Sequence, residues 1–286
     1  MTEWVCWRAA TLAALSFMAA GCSLILDSKR VQCSETLDCA EDETGVKNLV
    51  CEASRCIEPA SEWYCVGAGP DEVDDAMVAM RFSTFDLQTQ DPVKATARLC
   101  RGADINCVSP VGDTFVADSK GNLEVLLSSS FVGFIEVTTE EHLPALVTVD
   151  HPTGTEKVDN LALFTPETLE FLTGLLGITV DLTLGQAILR TRPCGTFEPA
   201  GVAYDISPTV PESMALYSQD GTPSLSAKVT DAVGQVLLLN LPVGAIGLKA
   251  SVPGDGKNPI ELGEEAFVTR PGTFVFTTFD PRISIP

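Results

Sequence analysis

Two stretches of this chain share one local grammar, 113 residues apart. Asp118-Ser119-Lys120-Gly121 lies between the apolar runs 115–117 and 123–127, and Asp231-Ala232-Val233-Gly234 lies between 226–229 and 236–239. Asp at the first and Gly at the fourth position suit a type I turn. A turn flanked by two apolar runs makes a β-hairpin the simplest reading of the first unit. In each copy a further short turn and a second apolar run follow. The interval suits two tandem β-sandwiches of about 100 residues each. The competing reading is that Asp-x-x-Gly is ordinary punctuation in any β protein.

The rest of the chain supports a mainly β fold. Val93, Ala95, Ala97 and Leu99 alternate with Lys94, Thr96, Arg98 and Cys100, the period of a half-buried strand. Runs 131–137, 143–149, 187–192, 201–206, 245–252 and 274–279 read as further strands. One helix is expected between the sandwiches. Thr165 would cap it, Pro166 would open it, Leu169, Leu172, Leu175 and Leu176 would form its core stripe, and Gly177 would end it. The expected organisation is residues 66–163 for the first sandwich, 164–184 for the helix and linker, and 185–286 for the second sandwich.

Composition excludes several functions. With 39 acidic against 18 basic residues the net charge is −21, which leaves no electrostatic footprint for nucleic acid. A hydrophobic share of 45% is too high for a disordered tail. Ten cysteines point to an oxidising, exported setting. Five of them, Cys33, Cys39, Cys51, Cys56 and Cys65, crowd into 33–65, where apolar residues are sparse. So small a segment needs cross-links to fold. It has neither CxxC pairs nor histidine, which argues against zinc. Further along, Cys100 and Cys107 fit a bridge closing a loop between strands. Cys65 would then pair with Cys194, clamping the front of the first sandwich to the start of the second.

The N-terminus carries a targeting pattern. Twelve mostly apolar residues, 9–20, run into Ala19-Ala20-Gly21-Cys22. This resembles the lipobox of bacterial lipoproteins, although Ala19 stands where that family prefers Leu or Val, and Glu3 offsets Arg8. The alternatives are a plain secretory signal and an uncleaved membrane anchor. The resemblance implies a signal peptide over 1–21, a lipid on Cys22 and a tether over 22–32. It removes Cys6 and acylates Cys22, leaving an even eight cysteines. The spacing C-x5-C-x11-C-x4-C from Cys33 resembles the small two-disulfide knots that follow the tether in bacterial surface lipoproteins. Three pairings are open there, of which Cys33–Cys51 with Cys39–Cys56 is favoured. Residues 22–75 hold 13 acids and 4 bases, so this stalk is expected to extend away from an anionic surface.

A second resemblance concerns the sandwiches. Lys228 through Asp231 and Gly234, on to Leu241-Pro242-Val243-Gly244, is similar to the carboxypeptidase regulatory-like domain, and Cys194-Gly195 through Pro199-Ala200-Gly201-Val202 is similar to an early turn of that family. The second sandwich matches better than the first, where 129–133 lacks the proline. The resemblance implies a seven-stranded, transthyretin-like (immunoglobulin-like) sandwich that itself carries no catalytic residues.

A search for chemistry is nearly empty. There is no G-x-S-x-G, S-x-x-K, HExxH or phosphate loop. His142 and His151 flank one expected strand, about 30 Å apart by strand rise, too far to share a metal. The densest acidic cluster, Asp71, Glu72, Asp74 and Asp75, offers calcium-type oxygens without the loop of an EF-hand and is read as a solvated linker. Sugar platforms need exposed aromatic faces. Outside the signal only Trp63, Tyr64, Tyr204 and Tyr217 offer a tryptophan or tyrosine face. The expectation is therefore a non-enzymatic, lipid-anchored envelope protein without cofactors, on the outer membrane. It would display a binding or scaffold surface to a protein or polysaccharide. A sugar-binding or accessory subunit of an envelope hydrolase, and a structural spacer, are the alternatives.

Overall fold

Alternation shapes the strands. In the run 122–128, Leu123, Val125 and Leu127 are buried while Asn122, Glu124 and Leu126 face solvent. Each buried aliphatic side chain there contributes about 1.5–3 kcal/mol. A computed structural model describes residues 50–52, 55–57, 62–69, 76–150, 152, 158–253 and 259–283. It divides into two units, Met1–Glu62 and Trp63–Pro286. The described part of the first unit includes a two-stranded antiparallel sheet, β1 (Val50–Glu52) and β2 (Arg55–Ile57), with Cys51 opposite Cys56 in register. Cys22, Cys33, Cys39, the acidic cluster 71–75 and His151 lie outside the described residues.

The second unit is mainly β. Its first half contains β3 (Met77–Asp86), β4 (Thr96–Arg101), β5 (Val111–Val116), β6 (Asn122–Ser128), β7 (Val132–Thr138), β8 (Ala145–Asp150) and β9 (Val158–Leu163). A helix, α1 (Pro166–Gly174), follows. The second half contains β10 (Gly185–Thr191), β11 (Ala203–Ser207), β12 (Met214–Gln219), β13 (Thr222–Ser224), β14 (Gln235–Leu241), β15 (Gly244–Val252), β16 (Ile260–Thr269) and β17 (Phe274–Phe279).

The halves repeat each other in topology. The first half has a sheet β6-β3-β9, with β3 and β9 parallel, and the second has β14-β10-β17, with β10 and β17 parallel. Opposite them run β4-β7-β8 and β11-β15-β16. Two features depart from the repeat: β5 joins β4, whereas its counterpart β12 joins β14 in the other sheet, and β13, paired to β12, has no counterpart.

The repeat extends to single hydrogen bonds. Thr84 N donates to Gly121 O at 2.8 Å, and Thr191 N donates to Gly234 O at 2.8 Å. Ala117 N donates to Ala95 O, and Thr230 N donates to Val202 O, both at 2.9 Å. Gly121 and Gly234 both adopt positive φ, +77° and +68°. A Cβ on Gly121 would meet Thr84 O at 2.2 Å, and one on Gly234 would meet Pro199 Cγ at 2.4 Å. The two Asp-x-x-Gly units are thus the same knot built twice. The Asp118 carboxylate is held ionised by Asn122, through its side chain and its backbone N–H, and by Lys120 N–H. Asp231 accepts from Ser218, Gly221 N–H and Val233 N–H.

Two local readings are corrected. The Asp118 turn does not close a hairpin, because β5 pairs with β4 and β6 pairs with β3 in the opposing sheet. The turn carries the chain across the sandwich, so that the apolar faces of β5 and β6 look at one core. Likewise 226–229 is not a strand, and β14 pairs with β10 and β12.

The halves also share a sheet. β8 pairs in parallel with β17, Leu146 opposite Val275. This fuses them into one nine-stranded sheet, β13-β12-β14-β10-β17-β8-β7-β4-β5. One face of the first-half strands holds its core, with Ala97, Leu99, Ile135, Val137 and Ala145. Their other face sends Cys100, Phe134 and Leu146 into the core of the second half.

Candidate functional site

The helix bridges the halves from behind. Thr165 Oγ1 caps it, accepting from Thr168 N at 3.1 Å. Leu169 is buried with Leu143 and Phe164 of the first half and its exit, and with Phe274 of β17. Phe164 stacks on Phe274 with ring centroids 4.3 Å apart. The expected leucine stripe is only partly used. The helix stops at Gly174, Gly177 takes the left-handed conformation (φ +71°), and Leu175 is 69% exposed, with Phe171 and Leu172 also exposed. The reason is length: about two and a half turns put only one leucine over the sheet.

Cystines bracket the same junction. Cys65 is bonded to Cys194 with Cα atoms 5.5 Å apart, and Cys100 to Cys107 with Cα atoms 5.2 Å apart. The first closes a span of 129 residues between the start of the body and the second half, and the second closes the β4–β5 loop. Cys100 and Cys107 lie beside buried Glu136, the three potential ligand atoms within 4.8 Å of one another. Bonded sulfurs offer no thiolate to a cation, and Glu136 already has cationic partners. Arg98 Nε donates to it at 2.5 Å, and Arg270 Nη2 donates to its other oxygen. Arg270, 9% exposed, reaches from the end of β16 in the second half and also stands over the Phe134 ring. The sequence did hold a signal for this network, because Glu136 interrupts an otherwise apolar strand run.

His142 is part of a structural contact. Its Nε2 lies 2.9 Å from Asp86 Oδ2 and its Nδ1 2.9 Å from Thr139 Oγ1. Asp86 is held below the usual carboxylate range chiefly by the Thr89 N–H. The aromatic residues serve the interior. Tyr204 and Tyr217 are buried and bonded to one another through Tyr204 N–H and Tyr217 OH. Trp63 packs on the second-half core, and Tyr64 meets Phe197 edge-on.

One concavity is lined by strands of both halves. It is a cleft of about 1100 Å³. Five consecutive residues of β16, Glu264 through Val268, line one side. Val132 and Phe134 of β7 and Thr148 and Asp150 of β8, cross-strand neighbours on one face of the long sheet, line another. Arg190, Arg192, Asp280 and Arg282 gather nearby. Burial opposes Asp280 ionisation, but hydrogen bonds from Arg282 and the charges of Arg282 and Arg192 outweigh it and hold its pKa down. Glu265 Oε1 accepts from Asp280 N at 2.7 Å. Burial, with the charges of Asp280 and Asp150, pushes Glu265 up to about 8, so at neutral pH it is mostly protonated. Nothing in the sequence singled out Glu265, whose environment comes from residues far along the chain.

What fold and cleft define is a mainly β protein of two topologically matched sandwiches locked through one sheet. In structure the chain is similar to the TIE protein of Bacillus anthracis (14% identity over 72% of this chain and 34% of that one, TM-score 0.23). It is similar also to a streptococcal ancillary pilin (11%, 71% and 62%, TM-score 0.24) and to the shaft pilin SpaA of Lactobacillus rhamnosus GG (10%, 72% and 98%, TM-score 0.23). The chain spans about a third of the first of these proteins and under two thirds of the second. No protein-family model and no curated protein matches the sequence. Among the described residues no helix is long and apolar enough to cross a membrane.

Proposed function

We propose that this protein is a non-enzymatic, lipid-anchored envelope protein that displays a rigid β body to a partner. The observation that carries the reading is the apolar run 9–20 leading into Ala19-Ala20-Gly21-Cys22. Cys22 would carry the lipid, 22–32 would act as tether, and 33–65 as a disulfide knot paired Cys33–Cys51 and Cys39–Cys56. The sandwiches would span 66–163 and 185–286, of carboxypeptidase regulatory-like type, with the helix and linker over 164–184. Two cystines in the described body support an oxidising compartment. The shared sheet, the Cys65–Cys194 bridge and the Glu136–Arg270 contact support a display role, since each removes a degree of freedom between the halves. The anchor is tested by labelling cells with radioactive palmitate. Cys22→Ser should abolish both label and processing, and unchanged processing would sink the lipoprotein reading.

A further inference from the structure

We propose that the outer edge of β6 is a vacant strand slot, through which two copies of this chain pair antiparallel about a two-fold axis at Val125.

The internal repeat shows what the slot is. With its two copies 113 residues apart, Leu123 to Leu126 of β6 correspond to Val236 to Leu239 of β14. In the second half β12 lies on the outside of β14, with Leu216 opposite Leu237 and Met214 opposite Leu239. In the first half the corresponding strand, β5, stays with β4 in the other sheet. Among the described residues no strand lies outside β6. The edge that takes a strand in one half is open in the other.

Hydrogen bonding fixes which groups are open. Thr84 N donates to Gly121 O, and Ser129 N donates to Ala76 O. Both pairs continue the β3–β6 register, in which bonded pairs alternate with unbonded ones. Leu123, Val125 and Leu127 therefore turn their backbone groups to β3, while Asn122, Glu124, Leu126 and Ser128 turn theirs outward. The Asp118 turn occupies both outward groups of Asn122, and Phe131 N–H takes the Ser128 carbonyl. Glu124 and Leu126 each keep an N–H and a C=O for a further strand. They are the counterparts of Leu237 and Leu239, the residues of β14 that face β12.

These two residues select a second copy as the occupant. A two-fold axis at Val125 sets Glu124 opposite the partner's Leu126 and Leu126 opposite the partner's Glu124. Every open group of both edges then finds its match. A register shifted by two residues sets Glu124 or Leu126 against itself and leaves groups unmatched. Glu124 is the one ionisable residue of β6, and Arg81 Nε already donates to it at 2.7 Å. Leu126, 48% exposed, meets the partner's Leu126 diagonally across the axis. The net charge of −21 repels two copies at long range, a term that salt screens. Other edges are blunted: β13 holds Pro223, β5 has Gly112 at φ +71° and an irregular register, and β16 carries three glutamates.

This goes beyond the display reading and does not depend on the lipid. The full chain is followed by sedimentation and by amide exchange from about 1 µM to 1 mM. A contact between two short edges should dissociate at about 10–100 µM. As dimer forms, exchange at Glu124 and Leu126 should slow about fivefold or more, while Leu123 and Val125, already bonded to β3, change under about twofold. Raising salt from about 0.05 to 0.5 M should tighten the dimer about threefold. Leu126→Glu should weaken it at least about tenfold, and Val243→Glu, the same charge at an exposed turn of the other half, under about twofold. A monomer at about 1 mM, a dimer that leaves the Glu124 and Leu126 amides exchanging freely, or equal weakening by the two variants would each overturn the proposal. Slowing of those amides only on addition of an envelope extract would assign the edge to another polypeptide and overturn it too. Loss of palmitate labelling in cells would overturn the anchor and leave these results untouched.

Discussion

Gly234 illustrates how much one residue carries. Its φ of +68° already disfavours a side chain, and a Cβ there would press on the Pro199 ring. Gly201 has φ +82° but open space around it. Gly201→Ala should therefore cost about 1 kcal/mol of backbone strain, and Gly234→Ala about 2–4 kcal/mol, because a ring or the turn must shift. Urea unfolding of both variants measures the difference. Glu265 sets a pH dependence. Its carboxyl moves from an ordinary 4.5 to about 8 in the fold, so between those values the folded state holds the extra proton. Stability then falls as pH rises from about 4.5 to 8 and levels off above. With the group's partial solvent contact the loss is on the order of 2 kcal/mol. Glu265→Gln, which keeps the acceptor for Asp280 N–H, should flatten that slope in denaturation curves at pH 5, 7 and 9. An unchanged slope would place the effect elsewhere.

At the level of elements, most strands were legible, because a period of two is written in neighbouring residues. Strands β4, β7, β8, β10, β15 and β17 fall where alternating or apolar runs stand. The misreadings share one cause: a turn motif specifies its own geometry but not which strands it joins. The helix gives a second case. Leucine spacing marked its position and Thr165 its start, but burial depended on how far the helix overlies β17. Leu169→Ala should cost about 2–4 kcal/mol, and Leu175→Ala under about 0.5 kcal/mol. Similar losses at the two positions, read from thermal unfolding, would mean that the helix buries another face.

For the whole molecule, β8 and β17 are neighbours in a single sheet, so the two halves should unfold as one cooperative unit. One thermal transition is expected, although the sequence divides into two domain-sized repeats. The Cys65–Cys194 bridge closes 129 residues, so replacing both cysteines with Ser should cost about 4–5 kcal/mol. Replacing Cys100 and Cys107, 7 apart, should cost about 2–3 kcal/mol. Calorimetry of the two double variants checks the order, and two separate transitions in the parent would refute the single-unit view.

From its order of residues alone this chain determined its β class, the doubled Asp-x-x-Gly turn, the helix cap and the export pattern. All of these depend on residues a few positions apart. The tertiary structure decided that Arg98 and Cys100, on the polar side of an alternating strand, face Glu136 and a shared core. It decided that Glu265 keeps its proton and that the edge of β16 opens on a cleft. Arg98 meets Glu136 across the β4–β7 pair, while the shared core and the cleft depend on β8 meeting β17, with Ala145 beside Phe274. No local periodicity encodes that meeting. It is chosen by the total apolar area that the fused sheet hides from water.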